Sequence, residues 1–483
     1  MESKKSYDKH AKYVEFYKDQ VKVDEEYWGL GIENESYLMF AGLDTVARGF
    51  LQENRLPERY SLDYWKNFKY AVVNTTLARL PRKIKVPIYV NSYGFQNTDL
   101  LGEHITIYTK ERKRVENPLY SGQTIDEYLK RVSPDYVKFL DKNLIYDGDT
   151  FEFTTFNFYK TTVTSVIDEL TTIKATVLAE MNKRLVSKFT IFKTPLIFPP
   201  FNYGFVKFQT NKENIAVCNN GTYHINLTLP TKLTKEGKIQ NENEFKAQHA
   251  NAIRAIQWIE PILVALYGSP DILHMLNSSY AGGSLRLAMS RYISLGTYDS
   301  ATMEKGKLLD TCVPTAHFTN MHEASPYIPP HTIGYDFNYN KFTKHGIELR
   351  IFDYFPEKYL ESVINLILLV CQHSILNPVP DPRGSSLWND LCIKAIMKGS
   401  STKVTSEMFS LIYSVFGVKE VKSCWWPFEI TRPIKRVADI LSEHLYAKYS
   451  KGPLCTKMSP NMKPICIVDY NSAIKLEYKK TFL

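Results

Sequence analysis

The chain has 483 residues, 44% of them hydrophobic and 23% charged, with a formal net charge of +9. That balance excludes a disordered or fibrous chain, and the length accommodates one large mixed domain with appended elements. The basic residues are dispersed, with short clusters at Arg82–Lys85 and Lys110–Arg114, so no nucleic-acid motif is evident and the charge suits nucleotide phosphates or acidic substrates.

Asp8–Val21 reads as an amphipathic entry helix. The run Trp28–Phe40 reads as a strand, with Glu33 and Glu35 in apolar surroundings behind Gly29 and Gly31. Residues i and i+2 of a strand share a face, and two like charges that close call for a cation between them. A helix over Pro57–Leu80 and strands over Ile84–Tyr93 and His104–Tyr108 follow. Thr124–Asn143 is helical, with Pro134 interrupting or restarting the helix.

A turn at Asp147–Asp149 leads into a strand that sets Glu152 between Phe151 and Phe153. A carboxylate there is costly without a cation or hydrogen-bond donors. A long helix over Val163–Leu185, a turn-rich stretch Pro195–Tyr203 and a strand Gly221–Leu229 come next. On that strand His224 and Asn226 share a face. A polar loop, Thr231–Asn243, precedes a helix over Glu244–Tyr267.

In the Gly-rich segment Ala281–Gly296, Arg286 and Arg291 stand in a helix-starting context suited to phosphate. The strand His345–Phe352 carries Glu348 and Arg350 on one face. Helices then cover Leu360–Leu376, Leu387–Met397, Val404–Phe416 and Ile434–Tyr449, and the tail with Pro453, Pro460 and Pro464 has little periodicity. The expected organisation is an α+β core over residues 1–355, a helical extension packed on it over 356–450, and an irregular tail over 451–483.

No apolar run reaches the roughly 20 residues of a membrane span, and the N-terminus lacks a signal-peptide core. No membrane contact and a cytoplasmic location are expected. Seven cysteines without a Cys-x-x-Cys pair read as reduced thiols.

Taken in order, Gly-Ile-Glu-x-Glu (Gly31–Glu35), Glu-Phe-x-Thr (Glu152–Thr155), His-x-Asn (His224–Asn226), Ser-Arg-Tyr (Ser290–Tyr292) and Glu-Leu-Arg-x-x-Asp (Glu348–Asp353) resemble the glutamine synthetase superfamily. Within it the chain is most similar to the glutamate–cysteine ligase and carboxylate–amine ligase (amidoligase) branch. The resemblance spans Gly29–Asp353 and rests on order more than on residue-by-residue identity.

It implies a strongly curved, mostly antiparallel sheet with flanking helices, whose concave face binds ATP and two or three Mg²⁺ ions, with Mn²⁺ an alternative. By position it implies Glu33, Glu35, Glu152 and Glu348 as metal ligands. His224 and Asn226 would lie near the nucleotide phosphates, and Arg286, Arg291 and Arg350 would neutralise the transferred phosphoryl group or hold a substrate carboxylate. The implied partners are an amino-acid donor such as glutamate and an unidentified amine, joined through an acyl phosphate. A homo-oligomer is compatible with the family.

Such ligases also occur in large DNA viruses and phages, and a Lys/Asn/Tyr-rich composition suits an AT-rich genome. Location in the host cytoplasm or virion would follow.

Three alternatives stay open on the residues. Glu103 competes with Glu152 for the third metal position. A guanidino kinase would need a reactive cysteine, for which Cys312 is the candidate. A non-catalytic binding protein on a ligase fold would have to retain several acids in apolar strands, which is destabilising without a cation.

Overall fold

The computed structural model describes residues 21–46, 85–96, 124–140, 142–147, 150–186, 188, 192, 194–203, 205–208, 211–217, 221–270, 272–275, 282–289, 337–338, 346–419 and 431–482. The expected helices at Asp8–Val21 (but for Val21 itself) and Pro57–Leu80, the strand at His104–Tyr108, and Glu103, Arg291 and Cys312 lie outside them.

In chain order, β1 (Glu26–Ser36), β2 (Leu38–Val46) and β3 (Lys85–Val90) precede the short helices α1 (Ser92–Gln96), α2 (Ile125–Val132) and α3 (Pro134–Phe139). Then come β4 (Leu144–Asp147), β5 (Thr150–Thr154), α4 (Val163–Leu185), β6 (Leu196–Ile197), β7 (Phe205–Phe208), β8 (Asn211–Val217), β9 (Thr222–Lys232) and α5 (Glu242–Tyr267). After α6 (Leu285–Met289), β10 (Phe337–Asn338) and β11 (Ile347–Asp353), the chain is mostly helical. It forms α7 (Leu360–Leu376), α8 (Ser386–Lys398), α9 (Ser406–Phe416), α10 (Ile434–Tyr449), α11 (Pro453–Met458) and α12 (Tyr470–Phe482), with a small β12–β13 pair (Lys403–Thr405, Thr431–Pro433) between them.

The larger described sheet has six strands in the order β10-β11-β9-β1-β5-β4, antiparallel throughout. A second, β6-β2-β3-β7-β8, is parallel only between β3 and β7. The architecture is therefore α+β with mostly antiparallel open sheets.

Strand alternation divides the six-stranded sheet into two chemically different faces. Leu30 and Ile32 of β1, Phe151 and Phe153 of β5, Ile225 and Leu227 of β9, and Ile347 and Leu349 of β11 are fully buried. They share one face, because Leu30 pairs with Leu227, Ile32 with Ile225 and Leu349 with Ile225. Helices α4 and α5 lie against the sheet, and α7 and α8 pack on α5. The opposite face carries the polar residues described below.

Pro134 does restart a helix: Ser133 closes α2 through its N–H to Leu129 O and caps α3 by accepting from Tyr136 N. The tail departs from expectation, because α11 and α12 are regular helices. Pro453 opens α11 at a position where a missing N–H costs nothing, and α12 contains no proline and buries Ile474 and Tyr478.

Helix α7 with the preceding turn, Glu357–Leu376, is long and apolar enough by composition to cross a bilayer, contrary to the sequence expectation. The continuation of the helical path through Glu357–Tyr359 supplies the extra length. In this fold 72% of that window is buried, so packing against α5 accounts for its apolar surface.

Candidate functional site

Antiparallel pairing puts directly opposed residues on the same face. Glu33 stands opposite His224 on β9, and Glu35 stands opposite Glu152 on β5. Asn226 lies between Gly31 of β1 and Glu348 of β11. With Arg350 two residues beyond Glu348, the candidate residues of four strands share the face turned away from α4 and α5.

The centre of the group is tight and dry. Glu33, His224 and Glu348 are 5%, 2% and 0% exposed. His224 Nδ1 lies 3.1 Å from Glu33 Oε2 and 3.5 Å from Glu348 Oε1. Its Nε2 is 3.7 Å from Glu35 Oε1 and accepts a 3.1 Å hydrogen bond from Arg286 Nη2. Arg350 Nη1 donates to Glu348 Oε1 at 3.1 Å.

These contacts define the state of His224. Burial first, and then the neighbouring Arg350 charge, hold its pKa well below the ordinary value, so the ring is neutral at pH 7. A guanidinium only donates and an ionised carboxylate only accepts, so Nε2 bears the lone pair and Nδ1 the proton. Burial likewise raises the Glu35 carboxyl above its usual range, opposed chiefly by Arg286.

Glu33, His224 and Glu348 each offer one ligand atom, and these atoms all lie within 4.8 Å of one another. Octahedral ligands about 2.1 Å from an ion stand about 3 Å apart along an edge, close to the 3.1 and 3.5 Å observed here. The donor set therefore fits a divalent cation. Coordination through Nδ1 would require its proton to move to Nε2, which breaks the hydrogen bond from Arg286 Nη2 and leaves Glu35 Oε1, 3.7 Å away, as the acceptor.

Two glycines let an aromatic ring pack directly on the strand from this side. Any Cβ on Gly29 would overlap the Phe158 ring, which also lies over Gly31. Thr155 Oγ1 accepts from Ile32 N at 3.0 Å and Leu30 N donates to Phe158 O at 3.0 Å, so the segment after β5 is fastened along β1.

Of the residues expected to act, Glu33, Glu35, Glu152, His224, Asn226, Glu348, Arg350 and Arg286 come together on or over this face. Arg286 arrives on α6, with its Nε donating to Arg350 O at 2.8 Å. Arg291 lies outside the described residues. Among the described residues the compact ligand set excludes Glu35 and Glu152, which stand beside it.

Phe158 carried no sequence signal beyond its aromaticity. Asp353 did carry one, as the last residue of the Glu-Leu-Arg-x-x-Asp run, but nothing in that run assigned it a task. Its carboxylate, with the pKa pushed up to about 6 by burial, accepts from Arg286 N, Ser269 N and Ser284 Oγ.

No family model matches the chain. It is 38% identical over 471 residues to a protein of Acanthamoeba polyphaga mimivirus described as "Uncharacterized protein R704", covering 95% of this chain and 80% of that one.

Proposed function

The chain belongs to the family of that mimivirus protein, and we propose that it is an ATP- and divalent-cation-dependent carboxylate–amine ligase with a glutamine synthetase-like catalytic sheet. One observation carries the reading. Polar residues from four distant segments, chosen by their resemblance to that superfamily, converge on one face of a single antiparallel sheet.

Glu33, His224 and Glu348 would hold the cation, with Glu35 and Glu152 available beside it. The imidazole in the donor set favours Mn²⁺ at least as well as Mg²⁺. Bound Mg²⁺–ATP would supply the phosphoryl group that converts a carboxylate into an acyl phosphate.

The protein's own part is electrostatic. Arg286 and Arg350 bring positive charge to a buried acidic face, where preorganised donors act more strongly than in water. Glu348 orients Arg350, and in the cation-free arrangement His224 Nε2 accepts from the Arg286 fork. Burial excludes water, which would otherwise hydrolyse an activated carboxylate.

The donor is an amino-acid carboxylate, glutamate being the family's usual choice, and the acceptor is an amine. A viral setting follows from the relative. The test is ADP release from Mg²⁺–ATP with pooled amino acids and hydroxylamine, read as hydroxamate. Hydroxamate from the native chain and none from Glu33→Gln supports the ligase, and equal output from both contradicts it.

A further inference from the structure

Arg286 is the one described guanidinium on the site that comes from outside the sheet. It sits on a five-residue helix after a glycine-rich approach, between the buried Leu285 and Leu287. The two leucines seat the helix in the core, and its main-chain position depends on what holds residues 268–269 and 282–286.

Two buried polar side chains hold these same two segments. Asp353, at the end of β11, accepts from Ser269 N at 3.2 Å, Ser284 Oγ at 2.6 Å and Arg286 N at 2.9 Å. Asn471, on α12, donates through Nδ2 to Gly268 O at 2.9 Å, Gly282 O at 3.0 Å and Gly283 O at 3.2 Å. Its Oδ1 accepts from Ser400 N at 3.1 Å.

The backbones around Asn471 are packed as closely as glycine permits. A Cβ on Gly283 would strike the Ala395 carbonyl, and one on Gly399, which has φ +58°, would strike Asn471 itself. Gly282 N and Gly283 N donate to Met397 O and Ile396 O at 2.7 and 2.8 Å. The joint is specified at every backbone and has little freedom to relax.

We infer that Asp353 and Asn471 are the positioning residues for Arg286. Asp353 fixes its main chain, and Asn471 locks the preceding glycines to the C-terminal helix. The α12 helix, beyond the region that carries the family resemblance, is thereby part of the site's construction. The value of Arg286 to catalysis rests on the ligase reading, whereas its placement does not.

Placement has its own readout. Glu33 holds the proton on His224 Nδ1, while Arg286 Nη2 donates to the lone pair on Nε2. Loss of the Arg286 contact therefore moves the Nε2 ¹⁵N resonance downfield and leaves the tautomer in place. Long-range ¹H–¹⁵N correlation on the full chain, with ¹⁵N-labelled histidine, reports that resonance directly, and loss of the signal in His224→Gln assigns it. Arg286→Lys shows what loss of the guanidinium contact looks like.

Asp353→Asn and Asn471→Ser are expected to shift the His224 Nε2 resonance toward its position in Arg286→Lys. Ile474→Ala, which removes a buried apolar group from the same helix, is expected to lower Tm and leave the His224 signal unchanged. Should both positioning variants fold and keep the wild-type Nε2 shift, or Ile474→Ala move it equally, the inference is overturned. If Asn471→Ser does not fold, Asp353→Asn decides alone. Because the readout needs no turnover, failure of the ligase assay leaves it intact.

Discussion

Glu33 on β1 and His224 on β9 are separated by 191 positions in sequence, yet they face one another across one register step, and Glu33 Oε2 stands 3.1 Å from His224 Nδ1. The pair has two states with different partners. Without a cation it is a hydrogen bond, and on the proposed reading a bound cation would make the two atoms ligands of one coordination shell beside Glu348.

Mn²⁺ binding is therefore the first consequence. Titration followed by electron paramagnetic resonance is expected to detect a site that Glu33→Gln or Glu348→Gln weakens by about 100-fold or more. Loss of an inner ligand should exceed the 10–100-fold typical of outer-shell changes. Asn226→Ala, which leaves the three donors in place, is expected to have a small effect.

Gly29→Ala is expected to destabilise the fold by about 1–3 kcal/mol, the usual cost of forcing atoms into a filled space. The clash is with the ring of Phe158. Denaturant unfolding of a double-mutant cycle with Phe158→Leu should recover part of the loss; simple additivity would argue against this origin.

On the other face of β1, Lys174 is buried with its Nζ 2.6 Å from Asn34 Oδ1 and paired to Glu357. Burial pulls its pKa down, opposed by Glu357. Removing the carboxylate strands a buried ammonium, so Glu357→Ala is expected to cost about 3 kcal/mol. Lys174→Met, which removes the charge and keeps the volume, should cost less, and the reverse ranking in chemical denaturation would refute this account.

His373 provides a pH dependence away from the site. Burial pushes its pKa down to about 4, and Tyr449 Oη lies 2.8 Å from its Nδ1. The unfolded chain takes up a proton near pH 6.5 that the folded chain refuses until about pH 4. Stability from this group is thus complete above pH 6.5 and falls as pH drops toward 4. Unfolding free energies of wild type and His373→Gln across that window should converge at low pH; parallel curves would exclude His373 as the source.

Legibility in the sequence followed the range of the interaction. Glu33 with Glu35, His224 with Asn226, and Glu348 with Arg350 were readable as shared faces because strand alternation is local. Helices with long apolar periodicity, such as Val163–Leu185, Leu360–Leu376 and Ile434–Tyr449, have the bounds their patterns predicted.

What stayed hidden is set by register and close packing. Nothing local says that Glu33 opposes His224, or that Asn471 meets Gly282. Of the second sheet, the strand at Lys85–Val90 was read within Ile84–Tyr93, whereas Phe205–Phe208 and Asn211–Val217 were not. The C-terminal helices were masked by prolines that flank or open them.

The central claim is that this face activates a carboxylate with ATP, and it is tested without knowing the acceptor. Pooled amino acids carrying ¹⁸O in their carboxylates are incubated with Mg²⁺–ATP, the protein and hydroxylamine, and the released phosphate is analysed by mass spectrometry. An acyl phosphate must transfer one carboxylate oxygen to phosphate on breakdown, so ¹⁸O-labelled phosphate from the native chain, absent with Glu348→Gln, is the result the account predicts. ATP turnover that yields only unlabelled phosphate would contradict it.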